Sequence, residues 1–166
     1  QDCKIPKENL LGERGKGFKI ALATLDGGRI GVGAQALGIA QSAIDHCKEY
    51  VTTHCLHEQR ISQYQYVQFG LADMQARVDA ARLLIYRAAQ AKQDHDPYSH
   101  LAAMGKLYAS EAATIVTRRC MQLVGDDGYT NRFPFERLMR DSKITEIYEG
   151  TSEVQRMVIS SWMGIK

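Results

Sequence analysis

The sequence lacks any apolar run approaching the roughly 18–20 residues that a membrane span needs. It also lacks an excess of charge of one sign. Its 21 Lys and Arg stand against 19 Asp and Glu, a net of +2, so it carries no electrostatic footprint for nucleic acid. Cysteine is sparse, at Cys3, Cys47, Cys55 and Cys120. A chain of this length has room for a real core and does not call for a disulfide framework. Cys47 and Cys120 fall within helical patterns and read as small buried apolar residues, which points to a reducing compartment, either cytoplasm or an organelle matrix such as that of mitochondria. No segment alternates convincingly with period two, and there is no internal repeat or low-complexity tract. The chain opens on Gln1 and QDCKIP, with neither Met nor a signal peptide, and this start reads as that of a processed or truncated product.

What is present is helical periodicity in an ordinary soluble composition, 45% hydrophobic and 24% charged. Residues 1–12 are punctuated by Pro6 and Gly12 and read as non-helical. Lys16 to Leu25 reads as a short helix that stops at Gly27-Gly28. Ile30, Gly33, Leu37, Ala40, Ile44, Cys47 and Val51 then recur at alternating three and four spacing, one face of a long helix. Its first half is unusually small (Gly31, Gly33, Ala34, Ala36, Gly38), which predicts close approach of another helix. Residues 54–62 break the pattern. Val67, Leu71, Met74, Val78, Ala81, Ile85 and Ala88 mark a second long helix, stopped at Asp94-His95-Asp96-Pro97. A third runs from about Ser99 to Val124, with Leu101, Met104, Tyr108, Ala112 and Ile115 on its apolar side and Gly125 as its C-cap. After a loop and a short piece over Phe135 to Arg140, a last helix begins near Ser152. Ser152 and Gln155 suggest a capping box there, and Val154, Met157, Val158 and Trp162 an apolar side. The fold class is all-α, an up-down four-helix bundle.

Three local features invite a functional reading. The glycines of LLGERGKGFK do not make a phosphate loop, because Lys16 is followed by Gly17 and no strand precedes it. His54, Cys55 and His57 cluster, but no second Cys/His pair stands at a metal-ligand spacing, so no metal is assigned. The third is IYEGTSEVQR, where Glu149 precedes a glycine and two capping residues. Read on its own, Glu149 is a carboxylate well placed near a helix N-terminus, or else a general base on a loop held by a rigid helix. Gly150 would let the backbone approach a ligand closely.

Four segments in order, IPKENLLGERGKGFK, LDGGRIGVGAQALGIAQSAID, FGLADMQARVDAARLL and LMRDSKITEIYEGTSEVQR, resemble the acyl-CoA dehydrogenases, most closely the short-chain and butyryl-type members. The resemblance implies the C-terminal α-helical domain (residues 13–166), with 1–12 a remnant of the linker from a β-domain. It implies an oxidoreductase of fatty acid metabolism, a flavoprotein using FAD. Such an enzyme would oxidise a short-chain acyl-CoA thioester to the trans-2-enoyl-CoA, with Glu149 as the α-proton base. It also implies Asp26, Arg29 and Gly150 at the acyl-CoA site, and Thr151, Ser152 and Glu153 in contact with FAD. Gln65, Gln122 and Gly125 would reach the FAD of a neighbouring subunit. The implied partners are sister subunits, in a homotetramer or dimer, and an electron-transfer flavoprotein, with neither nucleic acid nor membrane. Without the family's N-terminal helical domain and middle β-domain, this fragment alone is expected to be inactive.

Two segments depart from the family pattern. His54, His57 and Glu58 stand where Arg-x-x-Phe-Gly is usual, and Gly125-Asp126 where Gly-Gly is usual. Two carboxylates near a diphosphate repel it by about 4 kcal/mol each at 4 Å and an effective dielectric near 20. The missing arginine removes a charge-assisted contact. The expectation is poor binding of a neighbour's FAD, unless Arg60 reaches in instead. The competing reading is a non-enzymatic helical oligomerisation module, a degenerate relative that has lost FAD binding.

Overall fold

A computed structural model describes residues 2–165; Gln1 and Lys166, which end the two assigned segments, lie outside the described residues. Three long helices form the body: α1 (Gly17–Thr53), α2 (Gln65–Gln93) and α3 (Ser99–Val124). Two short helices, α4 (Phe135–Ile144) and α5 (Ser152–Trp162), pack on α3. Residue pairs fix the directions. Gly27 lies beside Lys92 and Gln41 bonds Arg82, so α1 and α2 run antiparallel. Met74 meets Cys120 and Ile85 meets Gly105, so α2 and α3 also run antiparallel. The result is the expected all-α, up-down arrangement, with the fourth position shared by α4 and α5.

The apolar faces of the first two long helices are buried as their periodicity predicts, from Val32 to Val51 in α1 and from Val67 to Ala88 in α2. The small residues of α1 divide into two groups. At Gly33 a methyl would overlap Ile85 Cδ1 and stand 3.5 Å from the Cα of Lys106, so α2 and α3 both close in there. Gly31 and Gly38 face open space.

Five expectations are corrected. α1 does not stop at Gly27-Gly28 but runs unbroken from Gly17 to Thr53. Each interior glycine costs a helix about 1 kcal/mol relative to Ala, and here packing outweighs that cost. The apolar side assigned to α3 is only partly buried: Leu101 and Ala112 are buried, Met104 and Tyr108 are half-buried and Ile115 is 48% exposed. Residues off that side, among them Ala102, Ala103, Ala109, Ala113 and Val116, are enclosed, because α3 has neighbours on nearly every side. Residues 55–60 hold a small antiparallel hairpin, with β1 (Cys55–Leu56) opposite β2 (Gln59–Arg60). Its turn residues His57 (φ 51°) and Glu58 (φ 66°) are both left-handed, a geometry that Asn-Gly announces and His-Glu does not. Finally, Thr151 rather than Ser152 stands at the N-cap of α5, without a side-chain cap. The apolar side given to α5 is largely solvent-facing, with Met157 and Trp162 both exposed.

The helix ends are otherwise as read. Gly125, at φ 76°, terminates α3. α2 ends with His95 left-handed at φ 60° and the Asp96 N–H reaching back to the Ala91 carbonyl, a Schellman closure just before Pro97.

Candidate functional site

Glu149 lies in the tight link between α4 and α5. It adopts φ 55°, and Gly150 follows at φ 91°. Left-handed backbone is strained for any residue but glycine, so a left-handed glutamate must be held from outside. Two buried side chains hold it. Gln155, fully enclosed in the first turn of α5, donates from Nε2 to the carbonyls of Glu149 (3.1 Å) and Gly150 (2.8 Å). Lys106, fully enclosed in α3, donates from Nζ to the Gly150 carbonyl at 2.8 Å. Tyr148 adds a third tie, its hydroxyl donating to Gln35 of α1.

This backbone turns the Glu149 side chain toward α1. A methyl on Gly28 would overlap Oε2 of Glu149 and stand 2.7 Å from its Cδ. Gly28 therefore makes room for a carboxylate, and Gly27 for the end of the Lys92 side chain, rather than the pair ending a helix. Oε2 is buried and has no hydrogen-bond partner among the described residues. The Glu149 backbone N–H likewise donates to no acceptor among them. An unbonded buried carboxylate oxygen and an unbonded N–H on one residue can serve a ligand with a proton to give up and an oxygen to be held.

Asp26 and Arg29 belong to the same end of α1. Arg29 Nη1 donates to Asp26 Oδ1 at 2.6 Å, and Ser99 of α3 donates to the same oxygen at 2.9 Å. The Arg29 side chain is 6% exposed, and its Nε has no partner among the described residues. Beside it opens a cleft of about 650 Å³ whose walls include Leu22, His100, Met157 and Trp162. His100 and Trp162 stack across it, with ring centroids 4.3 Å apart.

Thr151, Ser152 and Glu153 start α5. The Ser152 hydroxyl is buried without a partner among the described residues. Its own backbone N–H and the Thr151 hydroxyl hold the Glu153 carboxyl below the usual glutamate range. Burial pushes the Lys106 ammonium below the usual lysine range; Glu146 pulls it back up, Arg29 pushes it down, and Glu111 and Glu149 pull it up.

Gln65, Gln122 and Gly125 do not join this group. Gln122 lies sixteen residues along α3 from Lys106, about 24 Å at 1.5 Å per residue. Around it, Gly125, Asp126, Tyr64 and Tyr66 line a separate hollow. His54 stacks on Tyr50 with centroids 3.9 Å apart, and its Nδ1 lies 3.0 Å from both the Thr53 hydroxyl and the Tyr50 carbonyl. Arg60 donates to the Thr52 carbonyl at 2.5 Å, closing the end of α1. Among the described residues no three His, Cys, Asp or Glu side chains come together as a metal site, and no helix is long and apolar enough to cross a membrane.

Sequence reasoning missed Lys106, and it missed Gly28 as the seat of the carboxylate. The signal for Lys106 was a lone charge in a stripe of small residues, Ala102, Lys106, Ala109, Ala113, at three and four spacing. Gln155 was legible only as a capping residue, not as the donor that holds the loop.

Comparison with known proteins gives a consistent picture. The family description "Acyl-CoA dehydrogenase, C-terminal domain" matches residues 15–164. The mitochondrial short-chain specific acyl-CoA dehydrogenase of Rattus norvegicus is 51% identical over 160 residues, which is 96% of this chain and 39% of that protein. The solved structure of butyryl-CoA dehydrogenase from Megasphaera elsdenii superposes with a TM-score of 0.97 at 50% identity, covering 98% of this chain and 43% of that one. A chain in the solved structure of the electron transferring flavoprotein of Acidaminococcus fermentans superposes with a TM-score of 0.96 at 51% identity, covering 98% of this chain and 43% of that one. The chain thus spans about two fifths of the length of the relatives it matches.

Proposed function

Because the chain belongs to the acyl-CoA dehydrogenase family, as its C-terminal domain, we propose that Glu149 is the base that removes the α-proton of a short-chain acyl-CoA thioester. The observation that carries this reading is the buried, unbonded Oε2 beside Gly28, held on a left-handed loop by two enclosed donors. An α-proton is acidic enough to transfer only when the thioester oxygen is stabilised in a water-poor site. The unbonded N–H of Glu149 is a donor of the right kind for that oxygen. Glu149 Oε2 takes the proton, the Cα–H electron pair becomes the new double bond, and the β-hydrogen leaves as hydride. A bound FAD supplies the hydride acceptor. Asp26 and Arg29 border the acyl-CoA, their ion pair fixing the guanidinium at the rim of the cleft.

FAD fits one end of the chain and not the other. The unpartnered Ser152 hydroxyl and the first turn of α5 suit a flavin held by Thr151, Ser152 and Glu153. At the far end, where Gln65, Gln122 and Gly125 would meet a neighbour's cofactor, Glu58 and Asp126 are both exposed carboxylates. His54 is turned onto Tyr50 and Arg60 onto the end of α1, so neither offsets that charge. This end favours the second reading, a helical oligomerisation module without FAD. The Acidaminococcus match supports an electron-transferring flavoprotein as reoxidising partner.

The test joins this chain to the N-terminal and middle parts of the Megasphaera elsdenii enzyme, replacing that enzyme's own C-terminal part. The fusion is expected to purify with a flavin absorbance spectrum and to reduce a dye with butyryl-CoA, and Glu149→Gln is expected to lower kcat about 100-fold or more. Undiminished turnover in Glu149→Gln would remove the base assignment. A colourless fusion that FAD does not restore would favour the module reading.

A further inference from the structure

We infer that Lys106 is a positioning residue: from the enclosed face of α3 its ammonium grips the Gly150 carbonyl and so holds the Glu149 carboxylate in its seat against Gly28. This rests on the reading of Glu149 as the base.

The argument starts from how unfavourable this lysine is where it stands. Lys106 is fully enclosed, in a stripe otherwise made of alanines and glycine. Burying an ammonium is costly, and an apolar residue of similar volume would fill the same space without that cost. A lysine also has three donors to satisfy. Yet Lys106 forms no ion pair within 4.0 Å among the described residues, and its one hydrogen bond goes to Gly150 O. The fold does not need this bond to satisfy the carbonyl, because Gln155 Nε2 already donates there at 2.8 Å. What the second donor adds is a tie to another element. Gln155 belongs to α5, which follows the loop in the chain, whereas Lys106 belongs to α3. The two together pin one carbonyl between two elements and leave the left-handed pair at 149 and 150 little freedom to rotate. The Cα of Lys106 packs beside Gly33 of α1, so the lysine's backbone is anchored against the same helix that seats the carboxylate. Burial opposes the charge most, Glu146 favours it, Arg29 opposes it, and Glu111 and Glu149 favour it.

Lys106→Met keeps the length and removes the donor and charge. In the 166-residue chain, the Ser152 amide donates across the loop to Glu146 O at 3.1 Å. Its hydrogen exchange is expected to quicken at least tenfold in Lys106→Met, with the amides of Val78 and Ala113 unchanged. In the fusion protein, kcat is expected to fall at least tenfold while KM for butyryl-CoA stays within threefold. Lys106→Gln, which retains an N–H donor, is expected to recover part of both losses. Unaltered Ser152 exchange, or a kcat equal to wild type in Lys106→Met, overturns the inference. So does equal loss in the Met and Gln variants, or failure of both to fold, either of which makes Lys106 structural. If Glu149→Gln retains turnover, the base reading falls by itself, and Ser152 exchange still decides whether Lys106 fixes the loop.

Discussion

The carboxylate of Glu149 occupies the space that a side chain on Gly28 would need, with Cδ 2.7 Å from where the methyl would stand. A residue of the α4–α5 link thus depends on a missing side chain more than a hundred positions earlier. In Gly28→Ala the helix itself gains about 1 kcal/mol from propensity, while the carboxylate must leave its seat. The expected outcome is a melting temperature within about 5 °C of wild type and at least a tenfold loss of kcat in the fusion protein. Thermal melts and steady-state kinetics on the same preparation check both halves; full activity would mean that the seat is not where the base works.

Gly33 is another glycine whose missing side chain matters, because Ile85 Cδ1 fills its place and Ile85 Cγ1 lies 3.3 Å away. Gly33→Ala overpacks an enclosed contact and should cost about 1–3 kcal/mol. Ile85→Val removes the clashing methyl, so the double variant is expected to recover most of the loss. A double-mutant cycle by urea unfolding measures this coupling, and additive costs would show that the two residues do not meet.

Lys106 gives a pH dependence with a definite sign. Burial holds its folded-state ammonium below the usual lysine range. Between that value and the ordinary one near 10.4 the unfolded chain binds more protons, so stability rises with pH there. Below that window both states are charged and the folded state bears the whole burial cost. The stability of Lys106→Met minus that of wild type should therefore be greatest near neutrality and shrink toward pH 10. Denaturant unfolding at pH 7 and pH 10 tests it; a difference that grew with pH would contradict the assignment.

Arg29 and Asp26 form a largely buried pair at 2.6 Å, with side chains 6% and 23% exposed. Asp26→Asn leaves an arginine enclosed without its counter-charge, at a cost of about 3 kcal/mol. Asp26→Ala with Arg29→Met should recover much of it, since the charge then goes too. Chemical denaturation of the two variants is the measurement.

The Glu153 carboxyl is held low by its own N–H and by the Thr151 hydroxyl. Its contribution to stability is present above the ordinary glutamate pKa and is lost as pH falls through the lowered one. In an NMR titration of side-chain carboxyls Glu153 is expected to titrate below the ordinary glutamate value, and in Thr151→Ala to move back up toward it. No difference between the two proteins would remove the hydroxyl as a cause.

The first two long helices were legible because each buries one periodic face, and Gly125 and Pro97 mark ends by local chemistry alone. IYEGTSEVQR carried the family, and with it Glu149, but periodicity could say only that a carboxylate stood near a helix start. Gly27-Gly28 misled because a glycine pair breaks a helix in isolation, whereas here α1 continues and the gap is filled from elsewhere. α3 misled because a central helix has no single apolar side. The hairpin at 55–60 was unreadable because His57 and Glu58 are not the residues that favour left-handed turns.

By itself, then, the sequence determined the all-α class, the long helical segments and the segment that carries Glu149, since these follow from spacing, local capping and a resemblance carried by contiguous residues. Only the tertiary structure decided that Gly28 seats the carboxylate, that Lys106 and Gln155 share one carbonyl, and that Gln65, Gln122 and Gly125 lie at the opposite end of the bundle from Glu149. Each of these is a contact between residues far apart in the chain. Its energy depends on which helices meet and at what distance, and no local pattern encodes that.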